Sequence, residues 1–258
     1  MKLFSRIEGS GKPLVILHGL FGLGDNWAAL SKRWAKHFEV HTLDLRNHGR
    51  SPHSTVWNYE AMANDVAEYL DDRNLFRDVV VLGHSMGGKT AMELAVQHAN
   101  KLSALVVIDI GPHAYPVHHR SIINALLSVP LNAIQSRQEA ELSLAPHISE
   151  WGIRQFLLKS LYRTDSGFDW RFNLQTIANQ IEEVGKPLNA DALFEGPTLF
   201  IRGSKSGYLT DEDLPVAHRH FPFMQLDSIN QAGHWVHAEQ PDALYQSVEN
   251  FLRSKNLL

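Results

Sequence analysis

Four short, β-rich apolar runs recur through the first half of the chain: Leu14–Leu17 (LVIL), Val40–Leu43 (VHTL), Val79–Leu82 (VVVL) and Leu105–Ile108 (LVVI). Apolar runs of that length predict parallel strands buried on both faces. Between them Trp27–His37, Tyr59–Asp72 and Met86–His98 are long and periodic enough for helices. Strands alternating with helices predict an α/β protein built on a doubly wound, mostly parallel sheet. The pattern changes after Gly111-Pro112. From about residue 113 to 189 no strand-like run is read, and ALLSVP, SRQEAELSL, WGIRQFLLKSLYR and FNLQTIANQIEEV read instead as short helices with apolar faces. The strand pattern resumes with Pro197–Gly203 (PTLFIRG) and Phe223–Ile229 (FMQLDSI), and a last helix covers about Pro241–Ser254. The expected organisation is one α/β domain over residues 1–258, interrupted by a helical cap at about 113–189.

Composition narrows the class of function. Charged residues are 20% of the chain and the formal net charge is −4, so no basic face for nucleic acid or a membrane is expected, and a small-molecule ligand is. The absence of cysteine removes disulfides, thiolate metal sites and a thiol nucleophile together. The opening MKLFSRIEGSGKPLVILHG has no basic stub followed by a long apolar core, and no run approaches the length of a membrane span. A cytoplasmic location is expected.

In an open parallel sheet, ligands bind beyond the carboxyl ends of the strands. Residues just after the predicted strands are His18–Gly22 (HGLFG), Asp44–Ser51 (DLRNHGRS), Ser85, Asp109, Gly203–Tyr208 and Gly233-His234-Trp235. The octapeptide Gly83–Thr90 (GHSMGGKT) fits two motifs. As Gly-x-Ser-x-Gly it is a nucleophile elbow presenting Ser85; as Gly-x-x-x-x-Gly-Lys-Thr it is a phosphate loop using Lys89 and Thr90, with Asp109 as a magnesium ligand. A phosphate loop normally follows the first strand of its fold, whereas this one follows a later strand, and that reading leaves HGLFG and GHW unused. The elbow reading accounts for them. A serine hydroxyl needs an imidazole to take its proton, and the imidazole needs a carboxylate to fix its tautomer and stabilise its cation. Ser85, His234 and Asp109 would supply these roles, in the chain order Ser, Asp, His. Two backbone donors must hold the oxyanion: Met86 at the start of the following helix, and Leu20 in HGLFG, with Phe21 as second choice for the latter.

The set HGLFG, DLRNHGRS, GHSMGGK and AGHWVHAEQPD resembles the α/β-hydrolase family of serine esterases, in particular the bacterial esterases of the YbfF type, over nearly the whole chain. The resemblance implies an eight-stranded, mostly parallel sheet with helices on both faces, a helical cap over the active site, and hydrolysis of carboxylic esters or thioesters without a cofactor. It carries the nucleophile and base roles over to Ser85 and His234. Many members of the wider family keep the acid after the penultimate strand, where this chain reads RGSKSGYLTDED with Gly207 in place of an Asp. That departure favours Asp109, the position YbfF-type esterases use, and leaves Asp211 and Asp213 as alternatives. If the strands before Ser85 and Asp109 are neighbours, about 4.8 Å apart, both side chains emerge at one edge.

The remaining candidates have plainer readings. His18 is expected to hold the oxyanion loop by hydrogen bonds, His84 to pack near the elbow and His48 to support a turn. Lys89 and Thr90 are read as ordinary residues of the helix after the elbow. His118 and His119 are adjacent and cannot easily face one metal, so no metal is expected. Phe21 and Trp235 flank the reacting positions and are expected to touch substrate, while the cap is expected to bound the acyl pocket. A lyase, carbon–carbon bond hydrolase or perhydrolase using the same three residues is the alternative within the fold, and a non-catalytic binding module the alternative outside enzymes.

Overall fold

A computed structural model describes residues 1–258. Its strands are β1 (Ser5–Gly9), β2 (Lys12–Leu17), β3 (Phe38–Leu43), β4 (Val79–His84), β5 (Leu102–Ile108), β6 (Leu161–Thr164), β7 (Gly167–Trp170), β8 (Thr198–Gly203) and β9 (Met224–Ile229). The helices are α1 (Ala28–Trp34), α2 (Tyr59–Asp72), α3 (Met86–Gln97), α4 (Arg120–Ser128), α5 (Arg137–Leu144), α6 (Trp151–Leu158), α7 (Leu174–Asn179), α8 (Leu214–His220), α9 (Val236–Glu239) and α10 (Pro241–Ser254).

Seven strands form the main sheet in the order β1-β3-β2-β4-β5-β8-β9, all parallel except β1, which runs antiparallel to β3. Alternate strand residues feed opposite cores, as the two-residue period of a strand requires. Val15, Leu17, Val79, Val81, Leu105 and Val107 pack towards α2 and α3. Leu14, Ile16, Val80, Leu82, Val106 and Ile108 pack on the other face with Trp34 of α1 and Leu244 and Phe251 of α10. The apolar runs are therefore uninterrupted because both faces are covered. Asn58 caps α2, its side chain accepting the Ala61 N–H at 2.8 Å.

Two expectations are corrected. The sheet has seven strands rather than eight. Phe4, just before β1, continues that strand's antiparallel pairing instead of opening another strand: its carbonyl accepts the Asp44 N–H at 3.0 Å and its own N–H donates to Ser51 Oγ at 2.8 Å. The segment between β5 and β8 is also not wholly helical. Its helices α4 to α7 are joined by a hairpin, β6–β7, that reverses at Asp165-Ser166 into Gly167 at φ +137°. WGIRQFLLKSLYR looks like one helix because its apolar spacing continues, but α6 stops at Leu158, and Leu161 to Arg163 pair across to Phe168, Asp169 and Trp170. Ile123, Leu144 and Leu157 of this segment join the same apolar cluster as α2 and α3, so the cap is an extension of that core over the carboxyl ends of the strands.

Candidate active site

Strand β4 ends at His84, and Ser85 follows at φ 53°, ψ −119°, a left-handed turn into α3. The turn exists only because its neighbours are glycines. A Cβ on Gly83 would stand 2.2 Å from the Gly87 carbonyl oxygen, and one on Gly87 would stand 2.4 Å from that of Leu17. The Ser85 N–H donates to Ile108 O at 3.0 Å, tying the turn to the next strand.

That strand is β5, paired with β4 so that His84 lies opposite Ile108. Residues 85 and 109 therefore leave the sheet side by side. Asp109 also has a positive φ, 53°, and is completely buried. Its Oδ1 accepts the Gly203 N–H at 2.9 Å. Its Oδ2 accepts from Ser206 Oγ at 2.5 Å and from His234 Nδ1 at 2.7 Å. On the other side of the ring, His234 Nε2 lies 3.0 Å from Ser85 Oγ. With Nδ1 donating to a carboxylate, the neutral imidazole leaves Nε2 free to accept a proton. Tyr208 stacks on the ring at 4.0 Å, and His84 Nε2 donates to the His234 carbonyl at 2.8 Å.

The alternative acids lie elsewhere. Asp211 is exposed and paired with Arg202 at 2.7 Å. Asp213 accepts from Thr210 N at 2.7 Å, with its other oxygen 3.4 Å from His113 Nε2.

The surrounding histidines serve as neutral struts. Burial lowers His18 to a pKa of about 4, His48 to about 3 and His237 to about 4, and pushes His84 well below its ordinary value. His18 Nδ1 donates to Gly19 O at 2.8 Å and its Nε2 accepts the Leu45 N–H at 3.0 Å. His48 donates to Arg46 O at 3.0 Å and accepts the Phe21 N–H at 3.3 Å. The Phe21 amide is thereby engaged, whereas the Leu20 N–H has no partner within the chain. Met86 is the first residue of α3, so its N–H has no acceptor within its own helix.

A cavity of about 230 Å³ opens over Ser85, walled by Phe21 and Trp235 from the sheet side and by Ile122, Ile153 and Phe156 from the cap. Ser206 and Tyr208 fall within Gly203–Tyr208, one of the stretches that follow the strands, but the sequence assigns neither a role: nothing local marks them as contacts of Asp109 and His234.

Lys89 is not an ordinary helix residue. It is fully buried, and its Nζ donates to the carbonyls of Pro112 (3.3 Å), His113 (2.5 Å) and Lys186 (2.8 Å). It ties together the two places where the cap joins the sheet, and it is not available to a nucleotide. Burial lowers its ammonium from 10.5 to about 7. Between about pH 7 and 10.5 the unfolded chain thus holds a proton that the folded chain has released, and stability rises with pH through that window. In Lys89→Met this contribution is gone. The melting-temperature difference between wild type and variant is expected to grow in favour of wild type from pH 7 to 10; a difference independent of pH would contradict the assignment.

A seven-stranded, mostly parallel sheet with a strand–serine–helix turn at its carboxyl edge and helices over that edge defines the class: an α/β hydrolase. Comparison with known proteins agrees. A family profile described as alpha/beta hydrolase fold matches residues 12–132. The chain is 36% identical over 246 residues to Esterase YbfF of Escherichia coli, covering 95% of this chain and 94% of that protein. It is 38% identical over 247 residues to the sn-1-specific diacylglycerol lipase ABHD11 of Mus musculus, covering 93% and 80%. The solved structure of a marine microorganism esterase superposes with a TM-score of 0.95 at 40% identity, covering 97% of this chain and 99% of that one. The chain belongs to the α/β hydrolase family, and is an enzyme of its esterase and lipase kind.

Proposed function

We propose that the protein hydrolyses carboxylic esters, and acyl thioesters with them, through an acyl-enzyme on Ser85. The observation that carries this is the unbroken hydrogen-bond chain from Asp109 through His234 to Ser85 Oγ beneath an apolar cavity. Ser85 Oγ attacks the acyl carbonyl as His234 Nε2 takes its proton, while the Leu20 and Met86 N–H groups hold the oxyanion. His234 then delivers that proton to the departing oxygen or sulfur, and the bond to the leaving group breaks. Water repeats the sequence on the acyl-serine and frees the acid. Asp109 keeps the imidazole in the reactive tautomer and stabilises its cation. The substrate is a small molecule whose apolar part fills the cavity, and the names of the E. coli and mouse relatives, an esterase and a lipase, point to the same bond.

A nitrophenyl alkylphosphonate is expected to add one phosphonyl group per chain, located by mass spectrometry on Ser85, with release of one nitrophenolate and at a rate that competing ester slows. Hydrolysis of neither nitrophenyl esters nor acyl-coenzyme A thioesters, or labelling at another residue, would overturn the reading.

A further inference from the structure

Ser85 stands between two chambers of very different size. The larger, about 230 Å³, is bordered by His234, Trp235 and His237 as well as by Ile153 and Phe156 of the cap. The smaller, about 30 Å³, lies on the other side and is bordered by Met86, Tyr59, Ile110, Val117 and Val184. Ser85, Leu20, His119 and Tyr208 border both, but His234 borders only the larger.

Acyl transfer gives the two chambers different occupants. In the tetrahedral adduct on Ser85 the oxyanion points at the Leu20 and Met86 amides. The two remaining substituents, acyl chain and leaving group, must point apart. The departing atom receives its proton from His234 Nε2, so it lies on the His234 side. The acyl chain is left the chamber that shares the oxyanion donors but lacks His234. Resting on the acyl-enzyme reading above, we infer that the small chamber is the acyl site and that the enzyme selects short acyl groups carried on a larger, apolar leaving group.

The size sets the limit. A water-sized group needs about 10–15 Å³ on this measure, so the chamber holds roughly two such groups beyond the carbonyl carbon. Its walls are tied on several sides. Tyr59 Oη donates to Val184 O at 2.8 Å, and the Tyr115 N–H donates to Gly185 O at 2.8 Å, joining the incoming and outgoing ends of the cap. A Cβ on Gly185 would stand 2.4 Å from Tyr115 O, which shows how closely those ends meet. Lys89 binds the same two ends from within through Pro112, His113 and Lys186. Enlarging the chamber by moving its walls requires parting these bonds, whereas the larger cavity is bordered on the cap side by side chains such as Ile122, Ile153 and Phe156.

Two substrate series on the wild-type enzyme separate the chambers. In nitrophenyl acetate, butyrate and octanoate only the acyl part grows; in ethyl, butyl and hexyl acetate only the leaving group grows. From acetate to octanoate kcat/KM is expected to fall about a hundredfold, the range a pocket misfit of a few methylenes commands, while from ethyl to hexyl acetate it rises. Val117→Ala and Val184→Ala should raise the butyrate-to-acetate ratio about tenfold and leave the hexyl-to-ethyl ratio unchanged. Octanoate hydrolysed as fast as acetate by the wild type overturns the inference whether or not either variant folds. Should Ser85→Ala retain the activity, it is the acyl-enzyme reading that fails, and the two outcomes are told apart in one set of assays.

Discussion

Ser85→Ala is expected to lower kcat for nitrophenyl ester hydrolysis by about five to six orders of magnitude, the usual effect of deleting a serine nucleophile from such a constellation. The substitution is clean here. Ser85 makes one side-chain hydrogen bond, to His234 Nε2 at 3.0 Å, and its backbone N–H to Ile108 O is kept by alanine. The left-handed backbone, φ 53°, costs alanine about what it costs serine. The melting temperature should stay within a few degrees of wild type, roughly the span of a ΔΔG below 1 kcal/mol. A folded variant with activity within tenfold of wild type would sink the mechanism.

Asp109→Asn is expected to cost about 10⁴-fold in kcat at neutral pH. The asparagine carbonyl can keep the Gly203 N–H, but its amide nitrogen then faces His234 Nδ1 and Ser206 Oγ. An N–H donor there makes Nδ1 an acceptor and moves the imidazole proton to Nε2, the atom that must receive the serine proton. Asp211→Asn should change kcat less than twofold, since it loses only an exposed pair with Arg202. Were Asp211→Asn the variant that collapses, the acid would be misassigned. Circular dichroism on both variants separates lost chemistry from lost fold, because Asp109 is completely buried and its carboxylate also anchors the β8 end through Gly203.

Much of the fold could be read in advance because its signals are local. The buried strands announce themselves as apolar runs, and α2 and α10 match their expected bounds to the residue. The edge strand β1, SRIEG, escaped because it carries no apolar run: none of its residues is buried, and Ile7, its one apolar side chain, is exposed. The β6–β7 hairpin escaped because LLKSLYR keeps a helical spacing until a turn further along pulls its end into a strand. In the site, His18 bonds Gly19 of the HGLFG loop, His48 bonds Arg46 within its own turn, and His84 packs beside the elbow against His234 and His237, as the sequence led one to expect. Lys89 was misread for the opposite reason. A lysine in a helix is ordinarily solvated, and only a fold that brings Pro112, His113 and Lys186 together supplies three carbonyls to bury it against.

The amino-acid sequence by itself determined where the six parallel strands fall, which glycines allow the turn at Ser85, and which residues follow those strands, because all of these depend on spacing within a few residues. The tertiary structure alone decided which carboxylate meets His234, which of the Leu20 and Phe21 amides stays unpaired, and how the space around Ser85 divides into a large and a small chamber. Those depend on register between strands and on the cap's two ends meeting, contacts between residues about 100 positions apart in the chain that no local pattern encodes.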